Sequence, residues 1–553
     1  MSVYSTFSTN ETKNVPQTVP LGNATAPNRA GGYSFPVDRW TQLDRFLIIG
    51  AEGGTYYASA KETTFDNVAC LQKCLTEDGI RTVNRIVEIS ESGRALKNEP
   101  AIYALALCAS STNPKTKTAA LQALPRVCRT GTHLFSFAAD INRLRGWGPA
   151  VRKAFARWYN DKPADKAAYQ AVKYQSRNGW SHRDVLRLAH PKTSDPAHNA
   201  LYRWVVGGVE AFDTYKHRPI TESRKNLPAI VEAFEASKAA TDVRQVLDLI
   251  KTYSLPHECI MNDLKDKPEI WSALLEDMGA TALVRNLGKM SKIGLFSGNS
   301  TDTKFVVSRL QDMEFIRKGR LHPMQILLAM KTYQQGRGTL GSNTWDINSK
   351  IVNALDDAFY ASFGAIVPTG KRVLLALDVS GSMGSQCGAT GISCREASAA
   401  MSMAFLKSES DVEVVGFTAS MEGTLYTDNT SIRTLDISPK RRLDDNIRAI
   451  KNLPFGGTDC ALPFLWAAGN RRDFDAVITM TDNETYAGKT HVGTALSMYR
   501  QQVGHPVSFS ACAFTATGYS VADEKDSTQM NFVGLDGNLP SVLSDFIREV
   551  PAF

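Results

Sequence analysis

From Trp40 to Phe363 the chain repeats one signature: apolar residues three and four positions apart, in segments bounded by Gly, Pro or Asn. DNVACLQKCL, GIRTVNRIVEI, AIYALALCAS, KTAALQALPRVC and HLFSFAADINRL carry it first, and NLPAIVEAFEASKA, DVRQVLDLIKTY, EIWSALLEDM, MQILLAMKTY and KIVNALDDAFYASF carry it again further on. Each reads as an amphipathic helix of about 10 to 15 residues. Pairs of them recur every 35 to 45 residues or so, roughly the period of stacked two-helix repeats. Residues 36–364 are therefore expected to form an α-solenoid of irregular repeats, although a helical bundle would show the same periodicity. Residues 1–35, rich in Ser, Thr, Asn, Gly and Pro and without periodicity, are expected to be a disordered arm.

After the connection VPTGKR (367–372) the period changes. Val373 to Leu377 is an apolar run with no alternation, so it reads as a strand buried on both faces. Similar runs at 412–418, 475–481 and 507–514 alternate with helical patterns at 395–408, 441–452, 492–502 and 540–549, which predicts a doubly wound parallel sheet over 365–553. The first run ends at Asp378 and breaks into small polar residues, as parallel sheets do at their ligand edge. Asp378, Ser380 and Ser382 set one carboxylate and two hydroxyls in one tight loop. GGTD at 456–459 adds the Thr458 hydroxyl after a paired-glycine turn, and DAVITMTD (475–482) ends at Asp482. An all-oxygen set drawn from three loops, with a coordination position left open, suits a divalent cation such as Mg²⁺, or Mn²⁺ or Ca²⁺, rather than zinc.

Composition sharpens this division. The net charge of +7 is unevenly shared: residues 365–553 hold 16 Lys and Arg against 21 Asp and Glu, a balance of −5, leaving +12 to residues 1–364. A basic helical part beside a mildly acidic sheet points the first toward a polyanion. The nine cysteines, odd in number and without a CxxC pair, fit reduced buried thiols. No apolar run approaches a membrane span and the N-terminus lacks a signal-peptide core, so the chain is expected to be cytosolic and to have no membrane partner.

The densest basic stretch is 121–192, with Arg126, Arg129, Lys153 and Arg157 followed by KYQSRNGWSHRDVLRLAHPK. There Lys173, Arg177, His182, Arg183, Arg187 and Lys192 interleave with Tyr174 and Trp180. Cations contact phosphates and aromatic rings stack on unpaired bases, which is an RNA-binding composition. A solvated helical face gives the same composition, and for His182, in a polar turn, a packing or capping role is equally open. Arg285 and Lys289 share a helix face four residues apart, and His322 and Lys331 lie near and along another helix; if the solenoid closes, these cations could line its hole, or they are surface positions paired to Glu276 and Asp277.

The strings RWTQLDRFLIIGAEGGTYY (39–57), NGWSHRDVLRLAHPK (178–192), LEDMGATALVRNLGKMS (275–291), LHPMQILLAMKTYQQG (321–336), PTGKRVLLALDVSGSM (368–383), GGTDCALPFLWA (456–467) and TDNETYAG (481–488) resemble the Ro ribonucleoprotein autoantigen family. The resemblance implies a TROVE module, a HEAT-like α-solenoid closed into a ring, followed by a von Willebrand factor A domain with a metal-ion-dependent adhesion site. It also implies a monomer that binds Y RNA on its outer basic surface and takes single-stranded 3′ ends of misfolded noncoding RNA through its central hole, without catalysis, in RNA quality control. Bacterial relatives can be tethered by Y RNA to polynucleotide phosphorylase. Carried over by motif, Asp378, Ser380, Ser382, Thr458 and Asp482 become the metal ligands and 121–192 the Y RNA surface. The chain lacks a GxxxxGK[ST] loop and HExxH. The competing expectation is a metal-dependent adhesion scaffold that captures an acidic protein ligand. A metal-dependent nuclease is disfavoured by a site with one metal position and no evident base.

Overall fold

The computed structural model describes residues 15–212, 224–339, 342–388, 390–419, 431–451, 453 and 456–549. Helices Arg39–Ile49 to Ser349–Ala361 form the first unit, and their starts follow from local chemistry. Ser59 and Glu62, and Ser181 and Asp184, make reciprocal capping boxes, and Pro114, Pro149, Pro196 and Pro323 sit in first turns, where a missing N–H costs nothing. The two segments divided by Gly79 in the sequence pattern belong to one element, Ala60–Ser92, kinked at Asp78 (φ −150°, ψ 92°). Gly79 lies so close to Thr116 that a β-carbon would stand 2.1 Å from its hydroxyl, which lets this helix seat on Pro114–Val127.

The helices pack on others a few places along the chain, as Ala60–Ser92 does on Pro114–Val127 and Glu99–Ala109 on Gly131–Leu144, and a late helix then returns to the beginning. His322, the N-cap of helix Pro323–Gln334, reaches the Arg94 carbonyl just past helix Ala60–Ser92, and Gln325 donates to the Leu96 carbonyl at 3.1 Å. The last repeat thus meets the first, and the helices form a ring.

The A domain is a six-stranded sheet. Its strands are β1 Val373–Asp378, β2 Val412–Phe417, β3 Ile432–Thr434, β4 Ala476–Thr481, β5 Ser508–Ala513 and β6 Gln529–Val533, in the order β6-β5-β4-β1-β2-β3. All neighbours are parallel except β2 and β3. The strand pattern anticipated β1, β2, β4 and β5; edge strands β3 and β6 and helix Leu462–Gly469 were not in it. Alternate residues of β1 enter different cores. Leu374 and Ala376 pack toward helices Leu462–Gly469 and Val492–Val503, whereas Val373, Leu375 and Leu377 join an apolar core that runs without a break into the helical ring.

The two units are joined by buried polar contacts as well. Arg94 clamps Asp536 with two bonds of 2.9 and 2.7 Å, the wholly buried Arg45 donates to the Thr517 and Tyr519 carbonyls at 2.9 and 2.8 Å, and Lys331 pairs with Glu396 at 2.9 Å. His322 is 2% exposed; its Nε2–H is shared between the Arg94 and Leu535 carbonyls, each at 3.0 Å, while Nδ1 accepts from the Met324 N–H at 3.1 Å. The expectation that His322 and Lys331 are inner-facing cations is corrected: His322 is a neutral buried bridge between repeats and Lys331 is ion-paired with Glu396 of the A domain.

The expected disorder of 1–35 is corrected for Val15 onward. Strands Ala26–Pro27 and Tyr33–Pro36 pair with each other, and the second pairs with Tyr519–Ser520 of the A domain. The arm lacks a core of its own but borrows one, with Phe35 at 4% exposure and Gln17 wholly buried. Residues 1–14 lie outside the described residues.

Burial lowers the pKa of both His322 and His182 to about 4, below the unfolded value of about 6.5. Between pH 6.5 and 4 the unfolded chain binds protons that the native chain refuses, so stability rises with pH across that window and is lost as pH falls through it. The predicted loss is about 1.4 kcal/mol per pH unit per histidine, measured by denaturant melts at several pH values. In His322→Gln the pH slope should flatten by the share of one histidine.

Candidate metal centre and RNA interface

The metal site forms where β1 and β4 end. Asp378, Ser380, Ser382, Thr458 and Asp482 are all present there and none is more than 3% exposed. Asp378 Oδ1 accepts from the Ser380 N–H at 2.9 Å and Oδ2 from the Thr481 hydroxyl at 2.7 Å, and the Ser380 and Ser382 hydroxyls lie 3.1 Å apart. Gly381 N–H donates to the Gly456 carbonyl at 3.1 Å, tying the serine loop to GGTD. The paired glycines have a steric cause: a β-carbon on Gly456 would stand 2.0 Å from the Ala419 carbonyl oxygen, and one on Gly457 would stand 2.6 Å from the Tyr486 hydroxyl. The Thr458 carbonyl accepts from the N–H groups of Tyr486 and Ala487 at 3.1 and 2.9 Å, joining GGTD to the loop after Asp482.

Burial and mutual repulsion disfavour charge on both carboxylates of this cluster. Burial raises the pKa of Asp378; burial first, and then the neighbouring Asp378, raises Asp482 to about 8. The Thr458 hydroxyl is buried with no hydrogen-bond partner among the described residues. Two carboxylates and three hydroxyls, without thiol or imidazole, fit a hard divalent ion. Sequence reasoning missed Arg395, buried on helix Cys394–Ser408, which donates to the Val379 and Ser380 carbonyls at 2.7 and 2.8 Å and so fixes the serine loop from below. It also missed Tyr57, whose ring meets Tyr486 edge-on at 6.5 Å on the rim.

The basic face divides into cations that are engaged and cations that are free. Helix His182–Ala189 buries His182, Val185, Leu186 and Ala189, which leaves Arg183 and Arg187 exposed on its outer side. With exposed Lys153, Arg177 and Lys192, they have no acidic partner among the described residues. Arg126 pairs with Glu91, Arg129 donates to the Ser90 hydroxyl at 2.9 Å, and Arg157 donates to the Leu121 carbonyl at 3.1 Å. Lys173 lies half-buried against the rings of Tyr169 and Tyr174. Arg285 is exposed in a cavity wall beside Gly288 and Trp345, and Lys289 pairs with Asp266 rather than with Glu276 or Asp277.

His182, which the sequence places among the candidate RNA-binding residues, is buried beneath this face rather than displayed on it. It is 3% exposed, Nδ1 accepts from the Tyr159 hydroxyl at 2.7 Å, and Nε2 faces the Gln170 carbonyl at 3.2 Å. Each ring nitrogen has an interior partner, so the side chain anchors the helix that displays Arg183 and Arg187.

Comparison with known proteins agrees with this architecture. The TROVE domain family model matches residues 26–332 and the Ro60 vWA domain model matches 372–547. The chain belongs to the Ro60 family. It is 37% identical to the RNA-binding protein RO60 of Deinococcus radiodurans over 97% of both chains, and 33% identical to that of Caenorhabditis elegans over 97% of this chain and 92% of the relative. The crystal structure of the Deinococcus radiodurans RO (RSR) protein superimposes with a TM-score of 0.68 at 36% identity, covering 92% of this chain and 99% of that one. Within this Ro60-family chain, no helix among the described residues is long and apolar enough to cross a membrane.

The orphaned hydroxyl gives a direct test of the metal site. Thr458→Val keeps the shape and removes only the oxygen. Mg²⁺ affinity, read by titration calorimetry, should fall about tenfold, while the melting temperature of the metal-free chain should not fall, because a buried hydroxyl without a partner contributes no stability.

Proposed function

We propose that this Ro60-family protein is a noncatalytic RNA-binding protein of RNA quality control. Y RNA lies along the outer face built by Lys153, Arg177, Arg183, Arg187 and Lys192, and single-stranded 3′ ends of misfolded RNA enter the hole of the ring. The observation that carries this reading is the pair Arg183 and Arg187: exposed, one helical turn apart and without acidic partners among the described residues, on a helix held from below by buried His182. Free cations on a rigid element are what phosphate contacts require, whereas Arg126 and Lys289 already hold carboxylates. The RNA-binding name of the relatives supports the same substrate class. Cytosolic action follows the reading of the sequence pattern, and a Y RNA tether to an exoribonuclease such as polynucleotide phosphorylase rests on family resemblance.

We infer that the A domain holds Mg²⁺ through Asp378, Ser380, Ser382, Thr458 and Asp482. When bound, the ion would neutralise the two buried carboxylates and offer its open position to an oxygen ligand. This chain's own residues do the rest: Thr481 and the Ser380 N–H orient Asp378, and Arg395 holds the backbone of the serine loop.

For RNA, the test is Arg183→Ala/Arg187→Ala against a Y-type stem across a salt series. Affinity at low salt should fall at least about tenfold, and the slope of log K against log salt should shrink by about 2 if both contact phosphates. Unchanged affinity and slope would remove this face from the account.

A further inference from the structure

An open adhesion site needs a bare face around its metal, and here the protein's own N-terminal segment lies on the two loops that supply Thr458 and Asp482. The Gln17 amide donates to Asp459 Oδ1 at 2.5 Å and its oxygen accepts from the Thr485 hydroxyl. Asp459 follows the ligand Thr458, and Thr485 stands three residues after the ligand Asp482. Asn28 Nδ2 donates to the Thr485 carbonyl at 2.5 Å, while its Oδ1 accepts from the N–H groups of Ala30 and Gly32 at 3.1 and 2.9 Å, folding the segment into a tight hook. The Ala30 N–H in turn reaches Glu484 at 3.2 Å. Gly32 presses so close that a β-carbon would stand 2.1 Å from the Thr485 carbonyl oxygen. From the ring side, Tyr57 meets Tyr486, whose hydroxyl touches Gly457.

We propose that residues 17–34 are a strap that closes the A-domain metal site, so that a carboxylate-bearing protein can reach the ion only after the strap is displaced. The inference rests on the reading that the site holds a divalent cation. Three observations converge on it. All five donor residues are 3% exposed or less. The strap's contacts fall on the two loops that supply Thr458 and Asp482. A stable protein partner needs about 800 Å² on its side of an interface, and the strap already takes up part of the surface of these two loops. The strap is held by side-chain hydrogen bonds, by the Asn28–Gly32 and Tyr33–Gln17 backbone bonds and by one two-residue pairing of its own hairpin, while Phe35 and Pro36 just beyond it pair with Tyr519–Ser520; pairings this short open locally at low cost.

The test uses the full chain, with Mn²⁺ as the metal probe and acetate as the carboxylate probe. Gln17→Ala/Asn28→Ala deletes the side-chain bonds, and Gly32→Ala instead drives a β-carbon against Thr485 without deleting any. Both should speed hydrogen exchange at the Asn28 and Tyr33 amides, which are bonded to Gly32 and Gln17, by about tenfold. With Mn²⁺ bound, water-proton relaxation and its response to acetate should be weak in the native chain and several-fold larger in both variants. An acetate response already full in the native chain, or exchange and relaxation unchanged in both variants, overturns the strap. If calorimetry finds no Mn²⁺ binding to any of the three proteins, the metal reading fails instead, and amide exchange alone decides whether the strap is held as described.

Discussion

The meeting of the first and last helical repeats against the A domain is the constraint on which the rest depends. An array of helices buries its apolar faces only against neighbours, so its two ends would be exposed if it stayed open. Here the ends cover each other and the A domain covers both, through one continuous apolar core. At that seam the neutral His322 ring serves two carbonyls, Arg94 serves Asp536, and Arg45 Nη1 serves the Thr517 and Tyr519 carbonyls. Such contacts contribute modestly when made and cost much more when broken, because the stranded partner is buried. The seam therefore fixes the geometry of the ring more than it adds to stability.

Function is distributed on this frame by charge. The helical part carries the basic excess and the A domain a mild acidic one, which keeps a polyanion on the ring and away from the two buried aspartates. Within the basic region, packing decides which cations are available. Helix His182–Ala189 is short and strongly two-sided, so fixing its inner face with His182 commits Arg183 and Arg187 to the outside. The candidate metal centre follows a parallel logic, with strand ends supplying carboxylates, glycines allowing loops to touch, and Arg395 setting the loop from beneath.

Much of this was legible in the sequence because it is local. A change of hydrophobic period marked the boundary near residue 365, and apolar-rich runs, unbroken in β1, marked four of the six strands. Asp-x-Ser-x-Ser, GGTD and a strand-end Asp marked five oxygen-bearing residues that the fold buries together where β1 and β4 end. What escaped depends on contacts far apart in the chain. Gln17 reads as a polar residue in a polar tail until Asp459 and Thr485, more than 400 residues away, are placed beside it. His322 and Lys331 look like free cations until the ring closes on Arg94 and Glu396. His182 lies in a basic string, and only the fold shows Tyr159 and Gln170 enclosing it. Edge strands β3 and β6 escaped for another reason: half-exposed residues at a sheet margin give no unbroken apolar run.

The central claim is that a closed ring offers RNA two distinct modes, an outer basic face and a hole for a free end. It is tested most directly by measuring binding of one structured RNA, blunt or with a single-stranded 3′ tail of about ten nucleotides, across a salt series. The account predicts that the tailed form binds more tightly, is not cleaved, and keeps part of its advantage at salt that abolishes blunt-ended binding. Equal binding of the two forms at every salt concentration would contradict it.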